Sequence, residues 1–218
     1  MAMLAAGYDA WAPHYDADMR RYGYRVPALM ADQLRRHVSN RCALVLDVGA
    51  GSGLVGKALK ALGYQNVVGL DPSMAMLRQA WAQGVYRRCL KMALGAPKAL
   101  ADHRFDAILA AGVFKAGHAP PETLADLVSA ARPEGIIIFN LQCDKVLAAD
   151  YHRMRLRLET HHQWRPLITT VPFDPLPGVA VEQNNVIYVY QTVGTAAGDT
   201  APTLIADRGN RAHGLCNR

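Results

Sequence analysis

Short apolar runs alternate along this chain with stretches whose apolar residues recur every three or four positions, the pattern of a parallel sheet with helical crossovers. Ala43 to Val48, apolar except for Asp47, is followed by helical spacing from Leu54 to Leu62, and Asn66 to Leu70 by a second helical stretch from Ser73 to Gln83. Tyr86 to Leu90 makes a weaker third strand. Phe105 to Ala110 precedes a helix opening at Pro121-Glu122-Thr123, where proline has no donor to orphan and glutamate suits the helix dipole. Gly135 to Asn140, with Ile136-Ile137-Ile138 at its centre, predicts a strand buried on both faces.

The rhythm then changes. A helical segment from about Asp144 to Trp164 leads through a proline-rich stretch to the alternating Val186 to Gln191, which predicts a terminal antiparallel strand. Ahead of the first strand, Met30, Leu34 and Val38 stack on one face of a helix that runs from Pro27. The chain thus divides into an N-terminal helical cap over residues 1–40, an α/β domain over 41–193 and an aperiodic, loose tail over 194–218.

Composition narrows the function class. The 218 residues suit one α/β domain, and 51% hydrophobic with 19% charged residues can bury a sizeable core. The excess of 24 Lys and Arg over 18 Asp and Glu, a net +6, allows an anionic partner without requiring one. Cys42, Cys89, Cys143 and Cys216 stand far apart without zinc spacing, so reduced, mostly buried thiols are expected. Met1 to Asp18 lacks the basic and apolar regions of a signal peptide, and no run reaches the ~18 apolar residues of a spanning helix. A soluble cytoplasmic protein, with no membrane partner, is the expectation.

Candidate chemistry begins with Asp47-Val48-Gly49-Ala50-Gly51-Ser52-Gly53, between the first strand and its helix, where loop amides and a helix N-terminus face a ligand. Asp71 closes the second strand, placed to accept from both hydroxyls of a ribose. Gly51, Gly53 and Gly56 also satisfy Gly-x-Gly-x-x-Gly, the dinucleotide pattern. Against that stand Asp47 just before the first glycine, the helical extension and the antiparallel closing strand.

These segments, with Asp71-Pro-Ser-Met-Ala-Met-Leu77 and Phe105-Asp-Ala-Ile-Leu-Ala110, resemble the successive motifs of class I S-adenosylmethionine-dependent methyltransferases over roughly residues 8–142. Tyr8 to Asp16, Gly53-Leu-Val-Gly56 and the span from Gly112 through Gly117-His-Ala-Pro120 resemble, more narrowly, the methyltransferase-like group of the Williams-Beuren region and its bacterial relatives. The resemblance implies a Rossmann-like doubly wound, mostly parallel seven-stranded sheet with an antiparallel last strand and an N-terminal helical lid. It implies S-adenosylmethionine as cofactor and S-adenosylhomocysteine as product. Gly49, Ala50, Gly51 and Gly53, with Asp47 beside them, would face the methionine part, and Asp71 would hold the ribose. Pro72 and Ser73 would flank adenine, with Met76 nearby, and Tyr15 and Gly112 would complete the cofactor site. Where many relatives carry an acid after the third strand, this chain has Met92-Ala93-Leu94, leaving backbone atoms of Ala93 and Leu94 to replace that adenine contact.

Methyl transfer is an in-line displacement at an activated carbon, so the protein chiefly aligns a nucleophile and excludes water. Residues beyond the carboxyl ends of the fourth and fifth strands face the pocket in such sheets, which singles out Gly112 to His118 and Asn140 to Gln142, with His118 as catalytic base and Asn140 as a substrate contact. Tyr8, His14 and Tyr15, with Trp11 as apolar anchor, form an aromatic group able to lie over the cofactor as a lid and touch substrate. His161-His162 are neighbours that do not share a helix face, and Asp144 and Asp150 read as helix-end or surface groups, so no metal site is expected. Arg20, Arg21, Arg25, Arg35, Arg36 and Arg41, and again Arg153, Arg155, Arg157 and Arg165, gather basic charge, but no aromatic-basic RNA motif accompanies them. The expected acceptor is a small molecule. An RNA or protein acceptor, and a non-catalytic S-adenosylmethionine-binding protein, are the alternatives.

Overall fold

The computed structural model describes residues 2–93, 104–115, 117–143, 148–180 and 184–193. Leu94 and the expected loose tail lie outside them. Two helices lead in, α1 (Ala2–Arg21) and α2 (Val26–His37), followed by β1 (Leu44–Val48), α3 (Leu54–Ala61), β2 (Asn66–Asp71), α4 (Met74–Ala82) and β3 (Tyr86–Lys91). The second half runs β4 (Phe105–Phe114), α5 (Thr123–Ala130), β5 (Ala131–Gln142), α6 (Ala149–Thr160), β6 (Trp164–Thr169) and β7 (Asn185–Thr192). One seven-stranded sheet has the order β3-β2-β1-β4-β5-β7-β6. The pairs from β3 through β5 are parallel, and β7 runs antiparallel to both β5 and β6.

Alternation along the strands sends side chains to two separate cores. Ile108, Ile137 and Phe139 pack with Leu124 and Leu127 of α5 on one face. Leu109, Ile136 and Ile138 pack with Met30 and Leu34 of α2 on the other. Both faces of the central strands are therefore covered, which is why these runs read as continuously apolar. Strand order reverses between β1 and β4, so a crevice opens beyond their carboxyl ends.

Strand β6 is the element absent from the sequence reading, which carried the preceding helix to Trp164. Only Trp164 of this edge strand is fully buried, stacked on Tyr190 at 4.1 Å, while Pro166 sits in an edge strand that tolerates its missing donor. Cys89 and Cys143 are free thiols as expected, but neither is buried, Cys89 being half-buried and Cys143 exposed, and Cys42 is disulfide-bonded. No helix among the described residues is long and apolar enough to cross a membrane.

Candidate functional site

The glycine loop folds back on the end of β2. The amides of Gly49 and Ala50 donate to the Leu70 carbonyl at 2.7 and 2.9 Å. Gly51 N–H donates to one oxygen of Asp71 at 2.9 Å, and Ser73 N–H donates to the other at 2.8 Å. The Asp71 carboxylate thus fixes the loop and still has lone pairs free on both oxygens. It lies on the wall of a cavity, and the accompanying desolvation raises its pKa above the ordinary aspartate value.

The loop needs glycine for two different reasons. At Gly49, with φ 69°, a Cβ would come within 2.6 Å of the Val113 side chain. At Gly51, with φ 53°, a Cβ would meet nothing nearer than 3.9 Å, because this residue faces the open cavity. Gly56, the third glycine of the dinucleotide pattern, is spoken for elsewhere. Its Cβ would collide with the Tyr86 hydroxyl at 2.4 Å, and its amide donates to that same hydroxyl.

The cavity holds about 990 Å³ of empty space, counting its open mouth. Gly49, Gly51 and Asp71 form its floor, and Gly112 and Val113 at the end of β4 form one side. Helix α1 roofs it with Tyr8, Trp11 and Tyr15, whose rings are mutually packed at 4.8 to 6.4 Å. The roof is clipped to α4. Asp9 accepts from Ser73 Oγ and the Ala75 amide, and Gln79 donates to the Ala12 carbonyl at 2.7 Å. Burial pushes the Tyr15 hydroxyl, and that of Tyr24 beneath the roof, well above the usual phenol value.

One corner of the cavity is polar. Tyr8 Oη lies 3.1 Å from His118 Nε2, and Lys115 Nζ donates to Tyr8 Oη at 3.5 Å. The segment carrying Lys115 and His118 is held by Tyr151, whose hydroxyl donates to the carbonyl of Ala119 at 2.7 Å and that of Lys115 at 3.2 Å.

Most residues expected from the sequence reach the cavity wall: Tyr15, Gly49, Gly51 and Asp71, then Pro72, Met76 and Gly112, and across from them Tyr8 and His118. Others stand behind it. Asp47 is fully buried beneath the loop, accepting from the Tyr86 hydroxyl at 2.7 Å, and desolvation lifts its pKa to about 7. Ser73 is the N-cap of α4, accepting from Met76 N–H, and Gly53 is the N-cap of α3. Asn140 accepts from the Gly112 amide at 2.8 Å and donates to Asn185 at 2.6 Å, so it shapes the wall without lining it. His14 is exposed and does not line the cavity. Ala50 and Ala93 are likewise off the wall. Lys115 falls within the span Gly112 to His118 that the sequence places at the pocket, but no role for its side chain is legible there. Among the described residues no three His, Cys, Asp or Glu side chains gather as a metal site.

A family model described as a methyltransferase domain matches residues 46–139. The chain is 35% identical over 171 residues to the human Methyltransferase-like protein 27, a match spanning 74% of this chain and 68% of that protein. The chain belongs to the S-adenosylmethionine-dependent methyltransferase family. Its fold is similar to a chain of the complex between the Haloferax volcanii Trm112 methyltransferase activator and a methyltransferase, with TM-score 0.64 and 16% identity over 88% of this chain and 98% of that one. It is similar also to magnesium protoporphyrin IX methyltransferase from Synechocystis PCC 6803 with bound S-adenosylmethionine, with TM-score 0.60 and 17% identity over 81% and 82% of the two chains.

As a methyltransferase of this family, the protein uses S-adenosylmethionine. The residues present fit it: the loop leaves open space at Gly51, the Asp71 carboxylate has acceptor capacity to spare, and Met76 and Pro72 offer apolar surface beside it.

Proposed function

We propose that the protein methylates a small-molecule acceptor inside the roofed cavity, with residues 1–40 acting as a cap over a methyltransferase domain of residues 41–193. The observation that carries this reading is the roof itself. Helix α1 lies across the crevice and narrows it to a pocket with apolar and aromatic walls, whereas a polymer would need an open groove.

In this reading Asp71 accepts from the ribose hydroxyls, Gly49 and Gly51 admit the methionine part, and Pro72 and Met76 line the adenine side. Tyr15 covers the cofactor, and Gly112, set by Asn140, closes the far wall. S-adenosylmethionine supplies a methyl carbon already activated by its positive sulfur. The chain's own residues align the acceptor and keep water out, which for such a displacement is most of the task. His118 Nε2 takes the acceptor's proton where one must leave, and Tyr8 orients the imidazole through the 3.1 Å contact.

A second reading, an RNA or protein acceptor, is motivated by the arginine clusters. Several of those arginines are occupied within the molecule: Arg35 and Arg36 pair with Asp32, Arg153 with Asp150 and Arg155 with Glu159. Arg41 donates to Val38 and stacks on Tyr64. Such pairing weakens the case for a phosphate track.

Incubation with methyl-labelled S-adenosylmethionine and a fractionated cell extract tests the choice. Label recovered in the small-molecule fraction, as a mass gain of one methyl, supports the proposal. Label found only in RNA or protein overturns it.

A further inference from the structure

The polar corner has a feature that the methyl-transfer reading does not use. Lys115 is the only Lys or Arg among the described residues that line the cavity, and it makes no ion pair with a described acid. Its side chain is accessible, yet protein surrounds its ammonium closely enough for desolvation to lower the pKa from the ordinary lysine value. Lys115 lines the cavity, where a small molecule can touch it. An ammonium only donates, so Lys115 donates to the Tyr8 oxygen, which also lies 3.1 Å from His118 Nε2. The corner therefore offers one positive charge beside two further polar groups, Tyr8 and His118. Around it the cavity is apolar, with Leu4, Met19, Val113 and Leu176 on its walls.

We propose that Lys115, with Tyr8 and His118, selects an acceptor that is an oxygen acid on an apolar body, a phenol, enol or carboxylic acid, bound with its ionised oxygen toward the Lys115 ammonium. This deepens the small-molecule reading above and rests on it. The charge balance favours such an acceptor over an amine. An oxyanion's electron pair forms the new O–C bond while the methyl's bond to sulfur breaks and that pair stays on sulfur, so anion and sulfonium become a neutral ether or ester and a neutral thioether. Any proton lost beforehand by a phenol passes to His118. Methylating an amine would instead leave a cationic product beside the Lys115 ammonium, two like charges that repel.

The test uses the full chain saturated with S-adenosylhomocysteine and titrated with 4-nitrophenol, whose phenolate absorption reports ionisation directly, with 4-nitroanisole as the neutral match. In the wild type, bound 4-nitrophenol should ionise at a pH lower by one unit or so than the free compound, about a tenfold shift in its acidity constant, as expected beside an opposite charge. Lys115→Met and Lys115→Gln should abolish the shift and Lys115→Arg should retain it, while affinity for S-adenosylhomocysteine and 4-nitroanisole stays the same in all of them. Absence of saturable 4-nitrophenol binding, an unshifted ionisation in the wild type, or a shift that persists without the ammonium would each overturn the proposal. The labelled-extract experiment detects a polymer acceptor independently, so failure of the underlying reading is distinguishable from failure of this one.

Discussion

At Asp71 both carboxylate oxygens already accept backbone amides, from Gly51 and Ser73, so the side chain is immobilised before any ligand arrives. Asp71→Asn keeps one acceptor and turns an amide nitrogen toward one of the two N–H groups. Affinity for S-adenosylhomocysteine, measured by titration calorimetry, should fall by about 1.5–3 kcal/mol, the scale of hydrogen bonds to a charged group. The loop glycines should separate by readout. Gly49→Ala drives its methyl into Val113 and should destabilise the fold by about 1–3 kcal/mol in chemical denaturation. Gly51→Ala meets no protein atom within 3.9 Å, so its loss should appear in cofactor affinity, beyond the ~1–2 kcal/mol that positive φ imposes on alanine. For His118→Gln, turnover on the true acceptor should drop roughly 10²–10⁴-fold with cofactor affinity intact, and an unchanged rate would remove His118 from the chemistry.

Helix α1 owes its position to a few polar clips rather than to a deep core, and the Asp9 contact to the start of α4 is the most directional of them. Ser73 Oγ and the Ala75 amide donate to one Asp9 oxygen, which holds its carboxyl below the usual aspartate range. The N-terminus of α4 gains an acceptor there and the roof gains an anchor. Asp9→Ala should accelerate amide exchange across α1, followed by mass spectrometry, while the protection of β4 and β5 is unchanged. Equal exchange in both proteins would show that the aromatic packing of Trp11 and Tyr15 holds the roof alone. The opposite end of the sheet illustrates a different balance: β6 is shielded on its inner side by Trp164 and left open at its edge, where Pro166 blunts further strand pairing.

For the molecule as a whole, Asp47 couples stability to pH. Its carboxyl is buried under the glycine loop against Tyr86, and its pKa rises from 3.8 to about 7 because burial disfavours the charged form. The folded state therefore binds a proton that the unfolded state releases between these values. This contribution to stability is fully present below about pH 4 and is lost progressively as pH rises to about 7, where the folded-state carboxyl ionises. Denaturation series across this range should show that slope in the wild type and a flatter one in Asp47→Asn, which retains an acceptor for the Tyr86 hydroxyl. Identical slopes would place the burden on other groups.

The strand and helix order, the glycine loop and the acid ending β2 were legible in the sequence because each depends on local rules: strands covered on both faces are continuously apolar, and loops that approach a ligand need glycine. Leu46, Ile108 and Ile137 announce the central strands by composition alone, and Gly51 and Asp71 announce a ligand site by their places in the strand-loop-helix unit. What stayed hidden depends on contacts between distant segments. Strand β6 has a single fully buried side chain, so it exists only through its pairing with β7. Asp47 and Asn140 look like ligand contacts from their positions, yet the fold turns one toward Tyr86 and the other toward Gly112 and Asn185. Lys115 acquires meaning only when α1 brings Tyr8 across 107 residues of chain to meet it. Local propensity records which backbone a residue favours, whereas the partner a side chain meets, and the water it loses in doing so, are set by the closed tertiary structure.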